Sequence, residues 1–194
     1  ALMDYNWRLN IGKLEWDKPV RDHVPSFRMR DAVATERMTP RDLLTHRCGL
    51  PRHDLVHQSS SASRAELIER LRYLEPSKDF RGAYQYNNLM YIAAGFLIER
   101  VTGQTWEQFV RERIFEPLGM TASAFANDGT PKPVGYCKRG KRLVPWLRTF
   151  SRGLDLLAAY GRPAGPNGSI YSNVVDMCRW LRVQMNRGKA GRRP

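Results

Sequence analysis

The segment AYQYNNLMYIAAGFLIERVTG, Ala83 to Gly103, constrains the fold more than any other part of the chain. Leu89, Ile92, Ala93, Phe96 and Leu97 recur at helical spacing, and Gly103 suits the residue that closes a helix. The result is a rigid buried helix that anchors the short polar stretch Tyr86-Asn87-Asn88 ahead of it. In extended backbone a phenol and an amide two residues apart point to the same side, so Tyr86 and Asn88 can enter one cleft. The same residues also have a purely structural reading, with Asn88 as the N-cap of the helix and Tyr86 as a half-buried loop aromatic.

The remaining pattern is helices joined by loops, with few strands. Thr39-Pro40 reads as an N-cap followed by proline at the first helical position, opening a short helix through Leu43, Leu44 and His46. Ser63 and Glu66 form a capping box for a helix carrying Leu67, Leu71 and Leu74 to about Glu75; Thr105 and Gln108 form another, leading through Phe109, Val110 and Ile114 to near Pro117. Ser172 is expected to cap a last helix bearing Val175, Met177, Trp180, Leu181 and Met185. Between Ala126 and Gly168, rich in Gly, Pro and basic residues, short strands are expected around Val134–Cys137 and Arg142–Trp146. With no repeats and no domain boundary, residues 1–194 read as one helical unit with connecting loops.

Composition excludes several classes of function. No apolar run approaches the length of a membrane span. The three cysteines, Cys48, Cys137 and Cys178, are odd in number and widely spaced, which argues against a disulfide framework. The net charge of +13 gathers partly in KRGKR (Lys138 to Arg142) and RGKAGRR (Arg187 to Arg193). Clustered cations can bind a phosphate backbone, but these runs are loop-like and no zinc-finger, helix-turn-helix or RNP-type motif accompanies them, so no nucleic-acid partner is expected. His46, Cys48, His53 and His57 carry atoms that suit zinc, yet their spacing matches neither a finger nor a His-Glu-x-x-His helix, so no metal or other cofactor is expected. Trp106, Trp146 and Trp180 read as core or groove-lining aromatics.

Three segments occur in order: MTPRDLLTHRCGLPRHD (Met38 to Asp54), YQYNN continuing through the helix to EPLGM, and GPNGSIYSNVVDMCRWL (Gly165 to Leu181). Together they resemble the serine β-lactamase-like family of class C β-lactamases, penicillin-binding DD-peptidases, esterases and D-aminopeptidases. The resemblance runs from about Gly12 to Lys189. It implies the β-lactamase/transpeptidase-like α/β fold, of which this chain would be mainly the helical subdomain, mostly α with few short strands. The family's Tyr-x-Asn motif falls on Tyr86 and Asn88. Tyr86 is then expected to be catalytic, relaying a proton beside the nucleophilic serine, and Asn88 to orient the substrate. Gly165 to Ser169 are expected to form a wall of the same cleft, with Gly168 and Ser169 against substrate. His46 would belong to a structural helix end and turn, and Cys48 departs from the small hydroxyl residue usual there.

The family's chemistry also needs Ser-x-x-Lys at a helix start, where an i, i+3 spacing brings an ammonium beside the hydroxyl. None of the ten serines has lysine three residues later. The opening ALMDYNWRLNIGKLEWDKPV resembles the end of the nucleophile helix and the turn after it, which would put that serine a few residues before Ala1. Lys189-Ala190-Gly191 imitates a Lys-Thr-Gly strand, but it follows an amphipathic helix and resembles an exposed loop; the third motif is expected beyond Pro194. The expectation is therefore an internal piece, a single partial domain, of a serine acyl-hydrolase acting through an acyl-enzyme on a β-lactam, ester or D-amino-acid peptide. Apolar helix faces are expected to stay exposed where the family's sheet would pack, so that the chain self-associates. The alternative is a non-catalytic β-lactamase-like binding or scaffold protein. Ser-x-x-Lys in frame just upstream would favour the first, a native start near Met3 the second.

Overall fold

The computed structural model describes residues 14–58, 62–125, 136–140, 142–145 and 163–190. Its first helices are short: α1 (Ala32–Arg37), α2 (Pro40–Leu44), α3 (Leu55–Gln58) and α4 (Arg64–Arg70). Their starts are fixed by local side-chain chemistry. Thr39 and Asp42 close a capping box at α2, with Pro40 at the first turn, and Ser63 and Glu66 close another at α4. After α4 the chain tightens into a 3₁₀ turn over Leu71–Tyr73 and leaves the helix before the expected end near Glu75. Pro76 disfavours helical backbone at the residue before it.

The long helix α5 (Asn88–Thr102) is the centre of the main core. Leu89, Met90, Ile92, Ala93, Ala94 and Leu97 are all buried, because α2, α4 and the later short helix Gly165–Gly168 pack around it. Its N-cap is Asn87, not Asn88: Asn87 is extended, and its Oδ1 accepts the Met90 N–H at 3.2 Å. The helix ends at Gly103 in the left-handed region, φ 74°, as the sequence indicated.

Helix α6 (Trp106–Val110) starts with the Thr105–Gln108 capping box and continues through a wider π turn, Arg111–Phe115, into a last turn, Glu116–Leu118. The widening falls just ahead of Pro117, whose nitrogen has no hydrogen to donate. A second cluster of Trp106, Val110, Ile114, Phe115, Met120, Phe125 and Val183 forms here, with Ile98 of α5 packed against both cores.

Strand content is low. β1 (Ala124–Phe125) pairs antiparallel with β4 (Ile170–Tyr171), and β2 (Tyr136–Arg139) with β3 (Arg142–Pro145) around Gly140. The second pair falls close to the expected strands; Val134 and Trp146 lie outside the described residues. Between β3 and β4 in sequence comes α7 (Gly165–Gly168), and after β4 comes α8 (Val174–Met185). The cap of α8 is Asn173, whose Oδ1 accepts the Asp176 N–H at 2.9 Å; the expected cap, Ser172, instead bonds Ser123 Oγ at 2.8 Å.

Two buried charge networks tie the helices together. Arg64 at the start of α4 pairs with Glu99 of α5 and Glu107 of α6, and its Nε donates to the Pro163 carbonyl at 3.2 Å. Asp42 is fully buried and accepts from Thr39, Arg47 and Arg81. Burial alone would raise its carboxyl, but hydrogen bonds from Arg81 and Thr39 outweigh it and hold the group below its ordinary value.

Candidate functional site

The polar stretch before α5 is strapped to the turn that follows α2. The Gln85 N–H donates to the His46 carbonyl at 2.7 Å, and the Asn87 N–H donates to His46 Nδ1 at 3.1 Å. Asn87 Nδ2 donates to the Pro51 carbonyl at 2.6 Å. His46 itself sits at positive φ, 56°, which turns its ring under the strap. The ring stacks on Tyr91 (5.1 Å between centroids, 24°), lies tilted against Tyr86 (4.6 Å, 38°) and meets Tyr84 edge-on (5.5 Å, 80°). Burial pushes His46 below its ordinary value, so the imidazole is neutral; with Nδ1 accepting from Asn87, its proton is on Nε2. The Tyr91 hydroxyl donates to the Leu44 carbonyl at 3.1 Å, and burial followed by the phenols of Tyr86 and Tyr84 raises its pKa. His46 thus acts as the hub of an aromatic stack, in keeping with its expected structural role.

Tyr86 and Asn88 project from this platform. Tyr86 is 41% exposed, its ring contacted by His46 and by the Arg52 guanidinium, whose carbon lies 5.0 Å from the ring centroid. Asn88 is the first residue of α5 and is buried; its Nδ2 donates to Asp54 Oδ1 at 3.1 Å. The expectation of extended backbone through both residues therefore holds only as far as Asn87. What joins the two is an ion pair: Arg52 donates to Asp54 Oδ2 through Nε at 2.8 Å and approaches it with Nη2 at 2.7 Å. Among the described residues no hydrogen bond engages the Tyr86 hydroxyl or Asn88 Oδ1. Among the described residues the site thus offers a fixed phenol with an uncommitted oxygen and a fixed amide with an uncommitted carbonyl.

The Gly165–Ser169 segment reaches this region through Asn167. Asn167 Nδ2 lies 3.4 Å from Nε2 of His57, and the His57 backbone N–H donates to the Asp54 carbonyl at 3.3 Å. Burial lowers the pKa of His57, and the nearby Asp54 charge opposes this in part. Gly168 is exposed, with open space where a Cβ would stand. Ser169 is buried, and its Oγ donates to the Gly165 carbonyl at 3.1 Å, so its hydroxyl is engaged by its own turn.

Sequence reasoning gave Arg52 and Asp54 no role, and it included Asn167 only as part of the expected Gly165–Ser169 cleft wall. Arg52 and Asp54 pair with each other at i, i+2 in a loop, which carries no periodicity, and the Tyr86 and Asn88 side chains they meet lie tens of residues away; His57 was noticed only as a metal candidate. Cys48 is buried in the main core, with its thiol pushed up by burial. Among the described residues no group of three or more His, Cys, Asp or Glu side chains could hold a metal ion. Among the same residues no helix is long and apolar enough to cross a membrane.

Comparison with known proteins agrees with this architecture. A family model described as Beta-lactamase matches residues 8–194. A curated relative, the unguisins hydrolase ungD' of Aspergillus campestris, is 29% identical over 186 residues, covering 92% of this chain and 34% of its own. The octameric penicillin-binding protein homologue from Pyrococcus abyssi superimposes with a TM-score of 0.70 at 24% identity, over 97% of this chain and 42% of that one. D-amino acid amidase from Ochrobactrum anthropi, solved with D-phenylalanine, gives a TM-score of 0.67 at 22% identity, over 94% and 53%. At these identities the two solved structures speak for the fold, which is β-lactamase/transpeptidase-like and here mainly helical. The chain belongs to the Beta-lactamase family, a family of serine hydrolase type. It spans about a third of the length of the curated relatives it matches.

Proposed function

We propose that residues 1–194 are one partial domain of a serine acyl-hydrolase, and that Tyr86 and Asn88 are its working side chains. The observation that carries this reading is the Tyr86 phenol, held by His46 and Arg52 with its hydroxyl engaged by none of the described residues, beside an Asn88 whose carbonyl oxygen none of them engages either. In the reaction a serine Oγ attacks the substrate carbonyl carbon. Its proton passes by way of Tyr86 to the departing amine or alcohol, and the acyl-enzyme left behind is opened by water or another acceptor. Asn88 orients the substrate, and Gly168 lets substrate approach the backbone of the cleft wall. Ser169 contributes by fixing that turn, since its hydroxyl bonds to the Gly165 carbonyl. A β-lactam, an ester or a D-amino-acid peptide or amide is the substrate class this reading supports. The hydrolase and amidase names of the relatives point the same way.

The Ser-x-x-Lys pair the reaction needs is not among residues 1–194. Residues 1–194 alone are therefore expected to give no turnover and no covalent adduct with nitrocefin or p-nitrophenyl esters by intact mass. In a protein that joins this chain to Ser-x-x-Lys, Tyr86→Phe should slow acylation by about two to four orders of magnitude, the usual worth of general acid–base catalysis. Tyr84→Phe, on the more exposed neighbour, should leave it unchanged. Loss of activity in Tyr84→Phe but not Tyr86→Phe would shift the motif by two residues. Indifference to both would mean that the family likeness describes the fold and not the chemistry of Tyr86; the second reading, a non-catalytic β-lactamase-like binding or scaffold protein, expects no acylation even in the protein that carries Ser-x-x-Lys.

A further inference from the structure

We propose that Arg52 and Asp54 form a positioning pair for the site, Asp54 fixing which way round the Asn88 amide stands and Arg52 pinning the Tyr86 ring. The inference rests on the reading of Tyr86 and Asn88 as site residues and goes beyond it by saying what each presents. Asp54 divides its two oxygens between the two tasks. Oδ2 takes Nε and Nη2 of Arg52, at 2.8 and 2.7 Å, and Oδ1 takes the Asn88 amide nitrogen at 3.1 Å. A carboxylate only accepts hydrogen bonds, whereas an asparagine amide has a donor end and an acceptor end. Turning the Asn88 amide over would set its oxygen against the Asp54 oxygen and lose a charge-assisted hydrogen bond. The amide nitrogen therefore faces Asp54 and the carbonyl oxygen is held out. The group that meets Asn88 Oδ1 is accordingly a hydrogen-bond donor, an ammonium or an amide N–H. The same Arg52 that neutralises Asp54 lies over the face of Tyr86, 5.0 Å from the ring centroid. One ion pair thus couples a phenol and an amide that belong to different backbone geometries.

Two readouts test the pair, and only one depends on activity. In the nitrogen-15 spectrum the Asn88 side-chain NH₂ signals, identified by their loss in Asn88→Ala, should show one strongly shifted, slowly exchanging proton. Asp54→Ala should bring both protons to free-amide shifts and speed their exchange by roughly ten- to a hundredfold, the equivalent of one charge-assisted hydrogen bond. Unchanged signals in Asp54→Ala would overturn the proposal whether or not the protein is a hydrolase. In the Ser-x-x-Lys-bearing protein, Asp54→Ala should lower kcat with little change in KM. The double variant Asp54→Ala with Asn88→Ala should then be no slower than Asn88→Ala alone, whereas additive losses would show Asp54 acting independently of Asn88 and refute the coupling. If Asn88→Ala and Tyr86→Phe were both harmless to turnover while the NH₂ signals responded to Asp54, the functional reading would fail and the positioning would stand. If Asp54→Ala does not fold, Asp54→Asn keeps the shape and weakens the acceptor; its Asn88 exchange should rise several-fold, and no rise would refute the pair.

Discussion

Adding one methyl group at Gly95 tests how the cleft wall is held against the central helix. Gly95 lies in the middle of α5, where glycine is about 1 kcal/mol worse than alanine by helix propensity, so Gly95→Ala should stabilise an isolated helix by that amount. In the folded chain the new Cβ would stand 2.1 Å from Pro166 Cγ and 2.8 Å from Pro166 Cβ, far inside contact distance. The obstacle is a proline ring in the first turn of α7, which cannot swing aside like the end of a flexible side chain. Overpacking of this kind costs about 1–3 kcal/mol, and a rigid obstacle argues for the upper end. Set against the propensity gain of about 1 kcal/mol, the expected net loss is about 2 kcal/mol. Urea unfolding followed by circular dichroism would measure it. Pro166→Gly removes the ring and should restore most of the loss, so the double-mutant cycle should give a coupling of about 1–3 kcal/mol. If Gly95→Ala were instead stabilising by about 1 kcal/mol, or if the two substitutions added to within about 0.5 kcal/mol, the packing of α5 on α7 described here would be refuted.

Two further outcomes are expected. Burial holds His46 and His57 below the ordinary histidine value of 6.5, so the unfolded chain binds protons more readily than the folded one. Stability is then full above about pH 6.5 and falls as the pH drops below that value towards 5, by up to about 1.4 kcal/mol per pH unit for each group. His57→Gln should flatten that slope in thermal melts, and a wild-type Tm constant over the range would contradict it. On α8, Val174, Met177, Leu181 and Met185 fall on one helical face and are 77%, 41%, 52% and 82% exposed. Such a stripe should drive association of the chain. Met177→Glu with Leu181→Glu should shift sedimentation towards monomer, and an unaltered profile would show that this face is not the cause.

The helices that the sequence declared openly are those whose signals are local. Thr39, Ser63 and Thr105 cap their helices with residues three positions on, so chemistry and spacing suffice to find them. Asn87 and Asn88 are both competent caps, and nothing local chooses between them. The choice is made at a distance: His46 Nδ1 and the Pro51 carbonyl take the backbone N–H and amide of Asn87 and hold it extended, which leaves Asn88 to begin the helix. Ser172 lost its expected cap in the same way, because Ser123 engages its hydroxyl across 49 residues. The Tyr-x-Asn motif was legible because three segments resemble one family in the right order. Arg52 and Asp54 were not, since an i, i+2 ion pair in a loop carries no periodicity and its meaning depends on residues 34 positions later.

That division between neighbouring asparagines decides how the site can be interrogated. Asn87 carries the fold: its backbone N–H holds His46, its Nδ2 holds Pro51, and its Oδ1 caps α5. Replacing it would loosen the helix, the aromatic stack and the strap together. Asn88 carries none of these. Among the described residues its side chain bonds to Asp54, a half-exposed loop's carboxylate that is already neutralised by Arg52, and its own backbone lies within the first turn of a helix that Asn87 caps. A loss of activity in Asn88→Ala with little loss of stability would therefore report on the amide's chemistry, whereas the cap assignment suggested by sequence would have confounded the two. On the proposed reading the structural task and the chemical task fall on adjacent residues, and a central helix that is anchored by the first can hold the second still.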